Sequence, residues 1–476
     1  MKSMQVFHSV LASITFVALT AAPAYAWDAS WCDARGQTVV IGQNNANLDV
    51  PAVQAAVDQG GSVLLVGTFD FGEAGRVLLR NDVEICGKVD ESGAPLTTIR
   101  RGEWTFHTPY PDPSSLPPAQ PGPKVAIHDI HFVEARGTAI HLAYSGGASL
   151  HHNVINEMRA RVTGATSERA AIVVGTALLG GTPNTRFIPL LISGDIEITD
   201  NEIDVSIDPS NPGETTTSSR GTGMFVSMYV GADVRIERNH VTGNTRTGLA
   251  ILDGIADANG RGSVVIADNV IVSDVRFGFI IAGPRAPLGI VTGFNNNRTL
   301  GGDPDLQMIP ALVTGNYIEL NGVTSMGIVN IWNDAVITGN VITVHGDLAS
   351  TKDRLSTSGG ILATTSRQVL MHNRFMGEGC NAIRIGGTAE GQERRDNVAI
   401  VNNISLFQPF IGGFAKCADI WLEPASHDNT VVGNNGSAID DGSHNNITGL
   451  RPVEGGVGQA VSEAEHDAHE MGFGFE

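Results

Sequence analysis

The sequence predicts an all-β solenoid built from stacked turns, because a three-strand unit recurs along the chain with an asparagine at one corner. The clearest copy is GIVNIWNDAVITGNVI at 327–342, which contains three short apolar strands separated by polar corners. Variants of its apolar-x-apolar-x-x-Asn pattern recur at 234–241, 264–271, 311–318 and 398–404, among others. A glycine-led or small-residue strand lies between successive asparagines. An internal repeat of this kind indicates a solenoid in which each turn pairs with the next.

The spacing of the asparagines supports stacked turns. The shortest interval, from Asn316 to Asn340, is 340 − 316 = 24 residues, which allows three strands and three corners. Strands this short are not stable alone, but in a stack each pairs with its copy about 4.8 Å away. Asparagine tolerates the left-handed backbone of a tight corner, and stacked asparagines can bond to one another as a ladder. We therefore expect Asn239, Asn269, Asn316 and Asn340 to lie in one column.

These repeats resemble the right-handed parallel β-helix of the pectate-lyase-like superfamily, over roughly residues 45–450. The resemblance implies a single-stranded right-handed parallel β-helix with an asparagine ladder. It also implies an N-terminal helix that covers the open end of the solenoid, and AVQAAVDQGG at 52–61 is the candidate, helical near 52–58 and stopped by Gly60 and Gly61. No single activity follows, because this superfamily contains lyases, hydrolases, esterases, epimerases and non-catalytic surface proteins.

The chain divides into three predicted segments. Its 57 glycines, with only five tryptophans and five tyrosines among 476 residues, are typical of a turn-rich β protein. The segments are a signal peptide at 1–26, one β-helix domain at 27–451 and an acidic tail at 452–476. The first contains a lysine, an apolar run and an Ala-Tyr-Ala cleavage site before Trp27. We therefore expect export, to the periplasm or outside the cell, with no membrane span in the mature chain.

Charge and cysteine content restrict the partners and the compartment. A formal net charge of −20 makes nucleic acids and other polyanions poor general partners. Four cysteines in an exported chain favour disulfides. Cys380 and Cys417 each stand three residues before the central isoleucine of a glycine-type strand, so we expect them on adjacent turns within bonding reach. Cys32 and Cys86 are then the remaining pair.

Long insertions border one face of the predicted solenoid, at 176–193, 206–220, 283–310 and 346–358. Loops of this length are usually functional or disordered, and these enter or leave the glycine-type strands, so we expect a trough. Alternation points one residue of each strand inward: Ile140, Ile172, Met224, Leu249, Phe279, Ile328, Ile361, Ile383 and Ile420. Its neighbour then forms the trough floor: His141, Val173, Phe225, Ala250, Ile280, Val329, Leu362, Arg384 and Trp421. The apolar centre of that floor argues against a calcium-dependent groove for acidic sugars.

A row of arginines is the first candidate for chemistry. Each stands three or four residues ahead of an inward residue: Arg136, Arg169, Arg220, Arg246 and Arg276. One hypothesis is a basic stripe that binds a carboxylated or sulfated polysaccharide through Arg220. The resemblance to β-helix lyases implies that Arg246 or Arg276 would then remove a proton, although arginine is a difficult base. The alternative is a ladder of ion pairs with acidic neighbours such as Glu134.

Two aspartates and two tryptophans are further candidates. Asp253 and Asp334 follow outward strands two turns apart, with backbones roughly 10 Å apart. That separation would suit an inverting hydrolase, but aspartate is also a common turn residue. Trp332 and Trp421 are candidates to stack on sugar rings, with Arg384 on the floor as a further binding residue; the alternative is that these aromatic rings pack under loops. No metal-ligand motif occurs, and the cofactor stays open, calcium included.

Two functions therefore remain. The first is an exported protein that binds a polysaccharide of the cell envelope or the surroundings and cleaves or remodels it, as a lyase or a hydrolase. The second is a non-catalytic β-helix protein of the surface or periplasm that binds or supports. The NTD and RIK motifs of polygalacturonases are missing, although DDGSH at 440–444 resembles their paired aspartates.

Overall fold

The chain is a parallel β-helix, in which successive turns contribute strands to three long sheets whose strands all pair in parallel. The structure is a computed structural model, and it describes residues 37–109, 121–159, 168–175, 192–206, 220–243, 245–274, 288–293, 309–321, 325–331, 334–345, 359–364, 366–386, 394–404, 418–424 and 426–450. The predicted signal peptide, the acidic tail and most of the predicted insertions lie outside these ranges. Those assignments therefore stay predictions.

The first sheet has 14 strands, and the chain enters it once in each turn. Its strands are Thr38–Ile41, Gly61–Val66, Val83–Gly87, Lys124–His128, Gly147–His151, Ile196–Thr199, Asp233–Glu237, Ser263–Ala267, Ala311–Thr314, Ala335–Thr338, Val369–Met371, Val398–Ile400, Thr430–Val432 and Asn446–Thr448.

The second sheet has 11 strands and follows the first across one tight corner. Its strands are Thr68–Asp70, Thr97–Arg100, Ile130–Val133, Val154–Asn156, Glu202–Asp204, His240–Gly243, Val270–Asp274, Tyr317–Asn321, Val341–His345, Arg374–Glu378 and Asn403–Ile404.

The third sheet has 12 strands and carries the glycine-type segments. Its strands are Val77–Leu78, Phe106–Thr108, Ile140–Leu142, Glu168–Val174, Arg220–Ser227, Thr245–Leu252, Leu288–Gly293, Met326–Ile331, Gly359–Ala363, Asn381–Ile385, Ile420–Leu422 and Ala438–Asp440. A short extra ladder pairs Arg394–Arg395 with Ser426–His427.

The repeat unit folds as its sequence predicts. Its three strands are Met326–Ile331, Ala335–Thr338 and Val341–His345, one in each sheet. Ile328 pairs with Ile361 of the next turn, and both side chains are fully buried. Because equivalent apolar residues stack in this way, one continuous aliphatic core runs along the axis.

One predicted strand is wrong. The sequence favoured FGFIIA at 277–282, with Phe279 pointing inward and Ile280 outward. The third sheet instead uses Leu288–Gly293, where the buried Ile290 pairs with Leu249 on one side and Ile328 on the other. Both segments contain a glycine followed by apolar residues, and only the pairing partner distinguishes them. Phe279 and Ile280 lie outside the described residues.

An asparagine ladder forms the corner between the first and second sheets, as predicted. Each side-chain amide donates from Nδ2 to Oδ1 of the asparagine in the next turn, at 2.9–3.1 Å. None of these residues is more than 2% exposed. The ladder runs through Asn153, Asn201, Asn239, Asn269, Asn316, Asn340, Asn373, Asn402 and Asn434.

The residue before each ladder asparagine adopts the left-handed conformation. Positive φ angles of 50–67° occur at this position in every turn of the ladder, at His152, Asp200, Arg238, Asp268, Gly315, Gly339, His372, Val401 and Gly433. Glycine, aspartate and histidine are expected there, because short or polar side chains tolerate this conformation better than bulky ones. Arg238 and Val401 are the exceptions, and valine is the β-branched one.

A second asparagine column was not predicted. It lies at the corner that leads into the first sheet, near the C-terminal end of the solenoid. Asn397 donates from Nδ2 to Asn429 Oδ1, and Asn429 does the same to Asn445, both at 2.9 Å. The backbone N–H of Gln368 bonds to Asn397 Oδ1 at 2.9 Å. The last turns are therefore held by two asparagine corners.

The N-terminal helix is longer than predicted. It spans Ala46–Val57, beginning before Pro51, and Asn45 caps it by accepting the N–H of Asn47 at 3.1 Å. The fully buried Asp49 accepts three backbone N–H groups, including that of Asp70 in the second sheet at 2.8 Å. This carboxylate therefore fastens the helix to the first turns. Pro51 lies inside the helix.

Candidate functional site

One column of outward-facing residues defines the outer face of the third sheet. Backbone pairing places these residues opposite one another from turn to turn. The column is Leu78, His107, His141, Val173, Phe225, Ala250, Val291, Val329, Leu362, Arg384, Trp421 and Ile439. All the predicted floor positions are confirmed except Ile280, whose place Val291 takes.

The centre of this face is a second, smaller hydrophobic core. Its members contact one another and are buried: Ala250, Leu252, Val291, Met326, Val329 and Leu362. Val291 is 2% exposed and Leu362 is 3% exposed, although both point away from the main core. The centre is therefore not the open floor that the sequence suggested.

The predicted arginine stripe is not a single column. Arg220 pairs with Glu168, whereas Arg169 pairs with Gly221, so the two arginines occupy different register positions. The register also shifts beside Gly221, opposite Arg246. The first offset arises because Arg169 stands three residues before Ile172 whereas Arg220 stands four before Met224. Arg246 is the extra residue of a bulge. The side chains of Arg169, Arg220 and Arg246 and all of Arg276 lie outside the description, so their proposed roles stay predictions.

Arg136, the first arginine of that set, forms an ion pair with Glu73. Nearby, Glu134 pairs with both Arg100 and Arg159. Arg136 is therefore ion-paired, but with Glu73 and not with Glu134, the partner that the ion-pair alternative named.

Asp253 lies directly after the third-sheet strand Thr245–Leu252, in the left-handed conformation with φ 60°. It is 8% exposed, and its backbone N–H donates to Gly293 O at 2.9 Å. Its charge adds to burial in raising the pKa of the neighbouring Tyr229. The carboxylate is thus close to the main core, while its catalytic role stays a prediction.

Asp334 has a different environment from Asp253. It precedes the first-sheet strand Ala335–Thr338 and accepts two hydrogen-bonding contacts from Arg367, at 3.0 and 3.1 Å. Both side chains are about half exposed or more, at 46% and 65%. The two aspartates therefore differ in environment: Asp253 is buried, whereas Asp334 is half exposed and ion-paired. Trp332, next to this corner, lies outside the described residues.

Arg384 and Trp421 come together as the core of a cluster that we call the C-terminal patch: Arg384, Trp421, Glu423 and Asp441. The guanidinium carbon of Arg384 lies 4.8 Å from the centre of the Trp421 ring, within the range of a cation–π contact. Trp421 Nε1 donates to Asp441 Oδ2 at 2.9 Å. The indole is therefore held by its face and by its N–H, and it stays partly exposed.

Glu423 completes the C-terminal patch, and the sequence did not single it out. It forms an ion pair with Arg384, and each of these side chains is 11% exposed. The Glu423 side chain crosses Gly386, where an added Cβ would fall 2.0 Å from the carboxylate carbon. A Cβ at position 386 would therefore displace the Glu423 side chain from this position. The signal in the sequence is the glycine two residues after Arg384.

A third carboxylate, Asp419, lies beside the patch, immediately before the strand Ile420–Leu422. Asp419 is 6% exposed and accepts hydrogen bonds from the backbone and hydroxyl of Ser437, at 2.6 and 3.0 Å. Burial raises the pKa of Asp419, against the opposing effect of the Ser437 bonds. Asp419 therefore tethers the last third-sheet strands to each other.

Two of the four cysteines of the predicted disulfides, Cys86 and Cys380, lie in the described residues. Cys86 and Cys380 are buried, and neither is a free thiol. Their predicted partners, Cys32 and Cys417, lie outside the described residues, so the pairing stays a prediction. Within the described ranges, no cluster of three or more His, Cys, Asp or Glu side chains is placed to hold a metal ion. In the same ranges, no helix has the length and apolar character needed to cross a membrane.

Comparison with known proteins gives only remote likenesses. No protein-family profile and no curated protein matches the chain. Among solved structures, the A-module of the mannuronan C-5 epimerase AlgE6 from Azotobacter vinelandii is 11% identical, with TM-score 0.31, over 85% of this chain and 95% of its own. DFA-IIIase from Arthrobacter chlorophenolicus A6 is 11% identical with TM-score 0.39, over 82% and 89%.

The tailspike protein of Escherichia coli bacteriophage HK620, in complex with a pentasaccharide, is 14% identical with TM-score 0.34. That match covers 85% of this chain and 77% of the tailspike. Similarity at this level does not bear on what the chain binds. The sheets described above establish the β-helix independently.

Proposed function

We propose that this protein is exported and binds a neutral polysaccharide of the cell envelope or the surroundings through the C-terminal patch. The observation that supports binding is the partly exposed indole of Trp421, fixed between Arg384 and Asp441. An aromatic ring held in one orientation offers an apolar face at little entropic cost on binding. Sugar rings present matching C–H faces, and their hydroxyl groups can donate to the carboxylates beside the indole.

The charge of the patch favours a neutral ligand. Arg384 is neutralised by Glu423, and both are largely covered. Asp441 adds a further acidic group, and the whole chain carries a formal charge of −20. A polyuronate or sulfated chain would therefore meet net repulsion here. The basic-stripe hypothesis concerns other arginines, of which only Arg136 has a described side chain, and it is kept below as a separate proposal.

Affinity electrophoresis tests the proposal. The mature protein is run through gels containing glucomannan, galactomannan or mixed-linkage β-glucan, and through gels containing polygalacturonate or alginate. We expect retardation by at least one neutral polymer, and a loss of about tenfold or more in affinity for Trp421→Ala. Tyr317→Ala removes an exposed aromatic ring from the second sheet and serves as the control. Retardation by uronates alone, or an unchanged Trp421→Ala, would contradict the proposal.

Hydrolysis is a second candidate, favoured by one observation. The N–H of Glu423 donates to Ile385 O and that of Asp441 to Leu422 O, so these carboxylates occupy matching positions on adjacent strands. Adjacent strands are about 4.8 Å apart, and carboxylates roughly 5 Å apart suit a retaining glycosidase. One carboxylate would attack the anomeric carbon while the other protonates the leaving oxygen. Reducing-end release by the wild type, abolished in Glu423→Gln and Asp441→Asn, would support it.

The lyase hypothesis remains a separate proposal about Arg246 and Arg276, with Arg220 as a binding residue and Asp253 or Asp334 assisting. Ultraviolet absorbance of unsaturated ends on polygalacturonate and alginate tests it. An absorbance increase that Arg246→Ala or Arg276→Ala removes would support it. If the protein binds a neutral polymer and releases neither product, it is a non-catalytic binding protein.

Export is tested by the mature N-terminus. The proposal places cleavage after Ala26, so the processed chain begins at Trp27. Mass spectrometry of protein from the periplasm or culture medium of an expressing bacterium measures this directly. An intact Met1 terminus with all protein in the cytoplasm would contradict export.

A further inference from the structure

A second cluster of aromatic and basic side chains lies at the opposite end of the same face. We call it the N-terminal patch: Arg76, Trp104, His107 and His141. The guanidinium carbon of Arg76 lies 4.5 Å from the centre of the Trp104 ring. The Trp104 ring lies 4.6 Å from that of His141 and 5.1 Å from that of His107. The two histidine rings stack at 4.9 Å with planes 16° apart.

These contacts fix the rings of the N-terminal patch. Arg76 Nε donates to Glu103 O at 3.1 Å, and His107 Nδ1 lies 3.2 Å from His141 O. His107 and His141 are 5% and 4% exposed, whereas Trp104 and Arg76 are half-buried. Burial, together with the charge of Arg76, lowers the pKa of His107 to about 4. The Trp104 indole therefore rests on a packed base in which His107 is uncharged at neutral pH.

The backbone of Trp104 is strained. Its φ angle is 54°, a left-handed conformation that bulky residues rarely adopt. Such conformations concentrate at sites that contact ligands, because function rather than stability maintains them. Here the left-handed turn directs the indole onto the outer face, beside the histidines of the outward column.

The two patches repeat one arrangement. In each, a guanidinium lies over a partly exposed indole, at 4.5 Å in one and 4.8 Å in the other. The strand of His107 and that of Trp421 are nine steps apart in the third sheet, which corresponds to roughly 43 Å. The buried apolar core lies between them. The outer face thus carries two similar contact points. The column residues between His141 and Arg384 are all apolar.

We propose that the N-terminal patch is a second subsite for the neutral polysaccharide, so that one extended chain contacts both patches. This inference rests on the proposed function. A chain bound at one patch holds its remainder at a high effective concentration near the other, so a polymer that spans the gap binds more tightly than a short fragment. Fragments too short to span it bind the patches separately.

Titration calorimetry with matched ligands tests the inference. Glucomannan, galactomannan and mixed-linkage β-glucan are each used as the polymer and as the derived tetrasaccharide. We expect about two tetrasaccharides per wild-type chain and about one for either Trp104→Ala or Trp421→Ala. For the polymer, each single variant should lose roughly tenfold or more in affinity. Tyr317→Ala should match the wild type in both.

The outcomes separate this inference from the proposed function. If Trp421→Ala loses binding while Trp104→Ala keeps wild-type polymer affinity and stoichiometry, the second subsite is refuted and the first stands. If no polymer binds the wild type, both are refuted. Because Trp104→Ala could unfold the first turns, Trp104→Phe and Arg76→Gln are measured as well, with circular dichroism and thermal unfolding of each variant. Wild-type affinity and stoichiometry in all folded Trp104 and Arg76 variants would also overturn the inference.

Discussion

The corner between the first and second sheets and the outer face of the third sheet belong to the same turns, yet they are built in opposite ways. The corner repeats one residue type in nine turns, from Asn153 to Asn434, and each copy bonds to the next. The outer face changes from turn to turn, with histidines at one end, aliphatic residues in the centre and Arg384 with Trp421 at the other. Repetition thus marks the positions that hold the solenoid, and departure from repetition marks the candidate sites.

The largest expected effect comes from breaking the corner in its middle. Asn316 accepts the backbone N–H and Nδ2 of Asn269, at 3.0 and 2.9 Å, and donates to Asn340 Oδ1 at 2.9 Å. Asn316→Ala would leave several buried polar groups without partners, so we expect a loss of about 3–5 kcal/mol in unfolding free energy. Denaturant unfolding measures it.

The control for this prediction is the exposed Asn403, which follows the ladder residue Asn402. Asn403→Ala should change the unfolding free energy by less than about 0.5 kcal/mol. Equal losses for Asn316→Ala and Asn403→Ala would show that the corner does not carry the stability assigned to it.

The next largest effect on stability is expected in the turn that precedes the ladder, where the corner has no asparagine. Ile130 occupies the ladder position there, and the preceding residue, Asp129, bonds through Oδ2 to His128 Nδ1 at 2.6 Å. His128 Nε2 lies 3.2 Å from Glu84 Oε1. Burial opposes the charge on His128, but these bonds to Asp129 and Glu84 outweigh it and raise its pKa from 6.5 to about 9. The backbone N–H of Ile130 still donates to Asn153 Oδ1 at 3.3 Å, and the charged network lies beside the turn that lacks a ladder side chain.

The sign of the pH dependence follows from that shift. A raised pKa stabilises the folded state fully below the unfolded value of 6.5, and the contribution is lost as pH rises to about 9. The loss is about 3 kcal/mol. Unfolding free energies measured from pH 6 to 9.5 should fall, and His128→Gln should flatten that slope. An identical alkaline slope in the variant would refute the network.

Two other histidines act in the opposite direction. Burial and the charge of Arg76 lower the pKa of His107 to about 4. Burial and the charges of His128 and His152 lower the pKa of His151 to about 4. Their contribution is present above pH 6.5 and is lost as pH falls toward 4. The combined contribution of these three histidines to the unfolding free energy is therefore greatest near pH 6.5.

A smaller effect is expected on the outer face. Gly386→Ala would force the Glu423 side chain away from its position over residue 386 and separate it from Arg384. We expect a loss of about 2 kcal/mol in unfolding free energy, together with weaker binding of neutral polymers. Glu423→Gln, which keeps the shape without the charge, is the comparison. If Gly386→Ala has wild-type stability and binding, the ion pair is not held as described.

The smallest effect is a gain. Val401 is 43% exposed and has φ 50°, whereas the same corner position in the next turn is Gly433 with φ 66°. Val401→Gly should stabilise the protein by about 0.5–1 kcal/mol, because relief of left-handed strain exceeds the added chain entropy. Gly433→Val is the matched reverse change and should destabilise. Thermal unfolding of both variants measures the pair, and a destabilised Val401→Gly would refute the strain.

Sequence reasoning succeeded where one residue type marks one structural position. Asn239, Asn269, Asn316 and Asn340 stack as predicted because the ladder requires an amide in every turn. The method failed where position depends on pairing alone, as in the choice of Ile290 over Phe279. The bulge opposite Arg246 is a failure of the same kind, since nothing local shows that a strand gains a residue.

The candidate sites were visible only in part. Arg384 and Trp421 were found because alternation from a repeated isoleucine fixes their direction. Glu423 was missed because its partner stands 39 residues earlier, and their contact depends on the loop lengths between the two turns. Trp104 was missed as well, since a left-handed backbone angle at a tryptophan leaves no signature in the sequence.

The asparagine ladder also gives the rod a chemical polarity. All eight side-chain links point the same way, each amide nitrogen toward the C-terminal neighbour. Aligned amide dipoles of this kind polarise one another along the series. The two termini of the series are therefore not equivalent: an added turn at the leading end must supply donors, and one at the trailing end must supply an acceptor. An extra turn grafted into the rod would have to carry its asparagine in that orientation.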